Sequence, residues 1–494
     1  MSISAGRGVP TVPGSGLVRL SLTVVALLAV LMVAGACVQT IPGRGGGVID
    51  TENVGGLPVR DGPSGLRQNA ADAELQVQNA DRGEIDRLAI NSIADVQKFW
   101  AERFPEEFDT KFEPIKRLVS YDSTKPRGVI ICGADTAKVA NAFYCPPEDT
   151  IAWDRGVLLP AVVQTLGTDM AAVLVLAHEF GHAVQTRLRI VNQATPTIVS
   201  EQQADCFAGA FMRHVAEGKA EHFQLSTGDG LNSVLAGLVA IRDQVGAALT
   251  GEGAHGTAFD RVTAFQFGFI DGPRRCTQIN EQEVGARATE LGFADDKDAA
   301  NQGNLPVDEQ SIGLIGQSLN ETFKDTGAPP PQIGVNGPRC VAAEAPAVYC
   351  PDSNIVALDV PRLAKLATPQ NEQLNVKVTG DFTAFGLIAS RYSLSVQNHL
   401  GQALKGANAG LRSACLVGAW AGLHQQNPFG NRTPLDDKLR MSPGDLDEAV
   451  SELLADGLMA SDVDGQAVKS GFARVEAFRI GFLQGAKPCA DRFP

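Results

Sequence analysis

Apolar and polar positions along this chain predict mainly helices with a small sheet. Met170 to Leu188 (MAAVLVLAHEFGHAVQTRL) contains no Pro and is long enough to be a helix. Glu201 to about Ala216 predicts a second helix, with Ser200 placed to cap it. Asn232 to Val245 and Arg261 to Phe269 read as helices too. Val129-Ile130-Ile131 and Thr150-Ile151-Ala152-Trp153 read as short strands flanking a Pro-containing turn. The expected class is α+β, mainly helical.

A different pattern opens the chain. Arg7 and Arg19 precede an apolar run from Leu20 to Val33, followed by Ala34-Gly35-Ala36-Cys37. A positive start, a short apolar core and small residues form the pattern of an export signal. The core is short for a spanning helix, which needs about 20 apolar residues. Ala34-Gly35-Ala36 suits ordinary signal peptidase, while the same stretch with Cys37 resembles a bacterial lipobox, whose cysteine is lipidated. An uncleaved anchor is the third reading. We expect a lipoprotein tethered through Cys37; all three readings place the body outside the cytoplasm.

The chain has 494 residues, 44% of them hydrophobic, which is enough for more than one core. Its net charge of −14, with no Lys/Arg cluster, argues against binding nucleic acid. Setting Cys37 aside leaves an even set of cysteines, which in an exported chain suggests disulfides.

Self-comparison shows a repeat. Arg261-Val262-x-Ala264-Phe265-x-x-Gly268-Phe269-x-x-Gly272-x-x-x-Cys276 recurs as Arg474-Val475-x-Ala477-Phe478-x-x-Gly481-Phe482-x-x-Gly485-x-x-x-Cys489. Tyr144-Cys145-Pro146 recurs as Tyr349-Cys350-Pro351, and Cys206-x-x-Gly209 as Cys415-x-x-Gly418. This pattern implies a duplicated domain. If each half closes on itself, the expected pairs are Cys132–Cys145, Cys206–Cys276, Cys340–Cys350 and Cys415–Cys489. The resulting division is a signal over 1–36, a Gly/Asn/Asp/Pro-rich tether over 37–84, a first domain over 85–294, a linker over 295–337 and a degenerate repeat over 338–494.

The chemistry concentrates in His178-Glu179-Phe180-Gly181-His182. Residues four apart share a helix face, so both imidazoles can point at one ion, and His suits Zn²⁺. Glu179 sits where its carboxylate can reach a metal-bound water. An apolar helix with an ordinary polar face is the plainer reading. Two features argue against it. Gly181 costs about 1 kcal/mol relative to Ala inside a helix, and Glu201-Gln202-Gln203-Ala204-Asp205-Cys206 follows on the next helix. Glu201 can supply a third ligand and leave a fourth position open. Asp205, on the same face, can accept the free N–H of a ligand histidine, His178 by its place.

Tyr144-Cys145-Pro146, HEFGH with Val184-Gln185, EQQADC, and His255-Gly256-Thr257 leading into RVxAFxxGFxxG together resemble the bacterial neutral zinc metallopeptidases, and the lipobox resembles their actinobacterial lipoprotein members. The resemblance is strong from about Cys132 to Cys276 and a weak echo beyond. It implies a zincin-like architecture, one Zn²⁺ held by His178, His182 and Glu201, and Glu179 as general base. It implies no particular substrate.

The second half acts as an internal control. Ser390-Arg391-Tyr392-Ser393-Leu394 stands against HEFGH, Gly410 against Glu201, Ala414 against Asp205 and Val468 against His255. Framework residues persist while every proposed metal group is missing, so this half should bind no zinc there. His255 thereby sorts with the chemistry, and we assign it to the oxyanion of peptide attack. Tyr144 is a weaker candidate, because Tyr349 persists in the blank half. His214, His222, His399 and His424 have no ligand spacing. The expected protein is an exported, membrane-anchored zinc endopeptidase acting on peptide or protein. The alternatives are a non-enzymatic envelope adaptor and a zinc hydrolase of another amide.

Overall fold

In the computed structural model, which describes residues 48–247, 253–287, 293, 295–335, 345–369, 377–424, 439 and 441–494, most of the chain is helical and the strands are short. The export signal, Cys37 and Cys340 lie outside the described residues. The first half carries α1 (Glu84–Phe108), α2 (Met170–Leu188), α3 (Thr197–Ala216), α4 (Asp229–Ala240) and α5 (Ala258–Asp271). The second carries α6 (Glu309–Phe323), α7 (Asp381–His399), α8 (Ala407–His424), α9 (Asp445–Leu454) and α10 (Gly471–Gln484). Among the described residues no helix is long and apolar enough to cross a membrane.

α2 runs over the residues that its pattern predicts and is buried along most of its length, from Met170 to Gln185. α3 begins earlier than expected. Pro196, which cannot donate a backbone hydrogen bond, stands at its start, so Ser200 lies inside the helix and does not cap it. The expected pairing of strands also changes. Ile130–Ile131 turns back on Ala134–Asp135. β1 (Gly65–Leu66) precedes β2 (Arg117–Tyr121), β3 (Ala142–Cys145) and β4 (Thr150–Asp154), and β5 (Phe223–Gln224) follows α3. β4 is the central strand of its sheet, parallel to β2 and antiparallel to β3.

The same plan appears in the second half. β6 (Gln332–Val335), β7 (Ala347–Cys350) and β8 (Ile355–Leu358) form a sheet with β8 central, parallel to β6 and antiparallel to β7. The helix contacts correspond as well. A Cβ on Gly268 of α5 would stand 1.7 Å from the Cys206 carbonyl oxygen of α3, and one on Gly481 of α10 would stand 1.7 Å from the Cys415 oxygen of α8. The disulfides Cys132–Cys145, Cys206–Cys276 and Cys415–Cys489 pair as the repeat implies. Cys350 is disulfide-bonded as well.

Two segments differ from their composition. The stretch read as a tether is fastened to the body from residue 48 onward. β1 pairs with β5, the Arg60 N–H donates to Thr227 Oγ1 at 2.9 Å, and the Ala73 N–H donates to Asn91 Oδ1 at 2.7 Å. Gly, Asn and Asp here supply turns and acceptors. The stretch read as a linker holds α6, capped by Asp308 and buried through Ile312, Ile315, Leu319 and Phe323, and then β6. The halves also share one core instead of standing apart. Phe259 packs on Phe482 with ring centroids 4.9 Å apart, and Gln266 Nε2 donates to the Phe472 carbonyl at 3.0 Å.

Candidate metal centre

α2 and α3 cross where neither has bulk. A Cβ at Gly181 would lie 2.6 Å from Cα of Ala204, so the glycine foreseen as a point of approach admits the backbone of the neighbouring helix. That approach brings Glu201 over the histidines. Its Oε2 lies 3.0 Å from His178 Nε2 and 3.5 Å from His182 Nε2. Donor atoms of all three residues fall within 4.8 Å of one another. Tetrahedral zinc with ligands at about 2.05 Å sets donors about 3.3 Å apart, and the two observed separations bracket that spacing.

The opposite ring nitrogens are already engaged. His178 Nδ1 lies 2.8 Å from Asp205 Oδ1, as the helix-face argument foresaw. His182 Nδ1 lies 3.0 Å from Gln185 Oε1. Gln185 Nε2 donates to the Ser200 carbonyl at 2.6 Å and to Gln203 Oε1 at 3.1 Å, which orients its oxygen toward His182. With each Nδ1 donating, each Nε2 would offer its lone pair to a metal that displaces its proton. The donor set and its geometry therefore fit one Zn²⁺.

Electrostatics favour positive charge at this point. Burial favours the neutral imidazole of His178, but Asp205 and Glu201 outweigh it and raise its pKa to about 10. Burial works against the Glu201 carboxylate, yet His178 and His182 hold it well below the usual range. Asp205 is buried and receives two parallel bonds from Arg261, Nε to Oδ2 and Nη2 to Oδ1, both 2.8 Å. Together with His178 this overcomes burial and lowers Asp205 to about 2.

Glu179 is buried beside the cluster, and its Oε2 accepts the Tyr144 N–H of β3 at 3.1 Å. Burial raises its carboxyl above the ordinary value, against the pull of both histidines. Tyr144 thus meets the site through its backbone. Its hydroxyl donates to Asp149 Oδ1 at 2.9 Å, just as the Tyr349 hydroxyl reaches Asn354 Oδ1 at 3.1 Å in the second half.

His255 stands at the mouth, its side chain 41% exposed, with Nε2 3.5 Å from Glu201 Oε2 and Nδ1 3.5 Å from Asp243 Oδ1. Asp243 also accepts the His255 backbone N–H at 2.7 Å. Gln185, Asp243 and Arg261 were not singled out from the sequence. Gln185 sits one turn after His182 within a quoted motif, which was the available signal. Arg261 recurs as Arg474 and so sorted with the framework. Asp243 carries no pattern. Of the other histidines, His222 pairs with buried Asp95, His214 packs on Phe99, and His424 lies against Ser318.

In the second half, the residues that the sequence alignment sets against this cluster are packed among themselves. Arg391, opposite Glu179, donates to the carbonyls of Leu458, Ser461 and Asp462 and to Ser390 Oγ, opposite His178. A Cβ on Gly410, opposite Glu201, would lie 2.5 Å from the Ala460 carbonyl oxygen. A guanidinium and backbone carbonyls thus pack around residues that the sequence alignment sets against the histidines and Glu201.

Comparison with known proteins agrees with the chemistry of this donor set. The family model described as "Putative neutral zinc metallopeptidase" matches residues 8–279. Uncharacterized proteins of Mycobacterium bovis and Mycobacterium tuberculosis are 27% identical to the chain over 176 residues, 31% of this chain. The chain spans 60% of the length of these relatives. No solved structure matches.

Proposed function

The chain belongs to the neutral zinc metallopeptidase family, and from that premise we propose that it is an exported endopeptidase whose single Zn²⁺ is held by His178, His182 and Glu201. The observation that carries this reading is the meeting of His178 Nε2 and His182 Nε2 with Glu201 Oε2, at 3.0 and 3.5 Å, with Glu179 beside them. The bound ion would supply Lewis acidity and a water acidic enough to be deprotonated near neutral pH. The chain's residues do the rest. The Tyr144 N–H holds the Glu179 carboxylate in place to take a proton from the attacking water and return it to the leaving amine. His255, anchored by Asp243, is placed to donate to the developing oxyanion. Asp205 and Gln185 fix the rings of His178 and His182.

We read the second half as a degenerate copy of the catalytic domain that buttresses it. The matching sheet order, the matching helix contacts and the packing of Arg391 support this. The body works outside the cytoplasm, anchored by lipid at Cys37, and acts on peptide or protein.

The test is Glu179→Gln on zinc-loaded protein with a peptide library. Cleavage should fall by about 100-fold or more while one zinc per chain is retained. Equal cleavage by the variant would refute the assignment. Zinc-dependent turnover of another amide without peptide cleavage would point to the non-peptide alternative.

A further inference from the structure

Three carboxylates meet far along the chain from the histidine cluster. Asp381 is the first residue of α7, Asp445 the first of α9, and Glu448 lies one turn further along α9. Their exposures are 4%, 6% and 2%. One oxygen of each lies within 4.8 Å of the others. The Leu305 N–H donates to Asp381 Oδ2 at 2.7 Å, the Ser442 N–H to Asp445 Oδ2 at 2.8 Å and the Phe382 N–H to Glu448 Oε2 at 2.9 Å. The Ser442 hydroxyl adds a bond to Asp445 Oδ1 at 2.6 Å. Asp381 Oδ1 is buried with no hydrogen-bond partner. Among the described residues no Lys, Arg or His forms an ion pair with any of the three.

A further oxygen faces the same space. Asn304 Nδ2 donates to the Asn301 and Gln302 carbonyls at 3.1 and 3.3 Å, which turns Oδ1 toward the cluster, where it accepts the Asp381 N–H at 2.7 Å. Gly380 leaves this space open. A Cβ there would lie 2.0 Å from Glu448 Oε1 and 2.3 Å from Asn304 Oδ1. Its φ of −175° is extended, so space and not backbone conformation demands the glycine.

We propose that Asp381, Asp445 and Glu448, with the side-chain oxygen of Asn304, form a binding site for a hard divalent cation of the calcium class. Buried carboxylates this close cannot all stay ionised without a compensating positive charge. Burial raises all three; the charge of Asp381 adds to it at Asp445 and Glu448, and that of Asp298 at Asp381, which rises to about 7. An all-oxygen set rich in carboxylate selects Ca²⁺ over the nitrogen-preferring Zn²⁺.

The position gives the cation a structural consequence. On the same turn of α9, Asp447 accepts the Ala258 N–H at 2.8 Å and Arg242 Nε at 3.1 Å. These residues flank the segment that carries Asp243 and His255. A cation on Asp445 and Glu448 would fix the end of α9 that holds Arg242 and Ala258.

The test uses the full chain, stripped of metal and reloaded with one equivalent of Zn²⁺. CaCl₂ is titrated by calorimetry, and thermal unfolding is followed with and without millimolar CaCl₂. One Ca²⁺ should bind per chain and raise the unfolding midpoint. Asp381→Asn and Glu448→Gln should each weaken binding by about tenfold or more with zinc content unchanged, and Asn304→Ala supplies a variant outside the helices. Three results would overturn the proposal: no calcium binding by the wild type, undiminished binding by the folded variants, or tighter binding of Mg²⁺. The wild-type titration decides even if every variant fails to fold.

Discussion

Arg261 and Asp205 face each other through two parallel bonds of 2.8 Å, and the same Asp205 holds Nδ1 of His178. Both side chains are buried, at 2% and 0% exposure. The pair is therefore the back wall of the candidate metal centre, fixing one imidazole from behind.

Breaking that wall should have two separable effects. Asp205→Asn should weaken zinc binding by about 10- to 100-fold, because the ring of His178 loses its charged acceptor. Arg261→Met should cost about 3–5 kcal/mol of stability by leaving a buried carboxylate without its guanidinium. Competition with a zinc chelator measures the first and urea unfolding the second. Unchanged zinc affinity in Asp205→Asn would remove the residue from the site.

His255 lies at the mouth and not behind the ligands, so its loss should spare metal binding. His255→Phe should lower kcat by about 10- to 100-fold with little change in KM or zinc content. A loss of zinc in step with activity would make it a ligand instead.

Gly268 accepts no side chain, since a Cβ would stand 1.7 Å from the Cys206 carbonyl oxygen. Gly268→Ala must push α3 and α5 apart and should cost about 1–3 kcal/mol or more. Gly481→Ala should cost a similar amount, since the same distance recurs against Cys415. Comparing the two midpoints in urea tests whether the halves rely on the same contact.

Glu452 predicts a pH effect. Burial, partly offset by Arg474, raises its carboxyl from 4.5 to about 7. Between those values the folded chain keeps a proton that the unfolded chain has released. Its contribution to stability therefore falls as pH rises through that window. Glu452→Gln cannot ionise, so its stability relative to wild type should improve by up to about 3 kcal/mol from below pH 4.5 to above pH 7. Urea unfolding across that range gives the answer, and a difference that stays flat with pH would rule out this group.

Local chemistry was legible in the residues themselves. A Pro-free apolar run dictates α2 and its four-residue spacing places His178 and His182 on one face. The repeated cysteines foretold three disulfides, and Glu201 with Asp205 followed from being four apart on the next helix. These conclusions need only helical periodicity and ligand preference. The partners of Arg261, Gln185 and Asp243 are set by how helices cross, and local periodicity does not encode a crossing. Composition also misled at residues 48–84, because a Gly- and Asn-rich segment can dock wherever a neighbouring strand or acceptor meets its backbone, and at 309–323, where a capped helix buries Ile312, Ile315, Leu319 and Phe323 between loop-like stretches. The Asp381, Asp445 and Glu448 cluster joins two helix starts more than sixty residues apart along the chain. Only packing brings these charges together, so only the tertiary structure could disclose them.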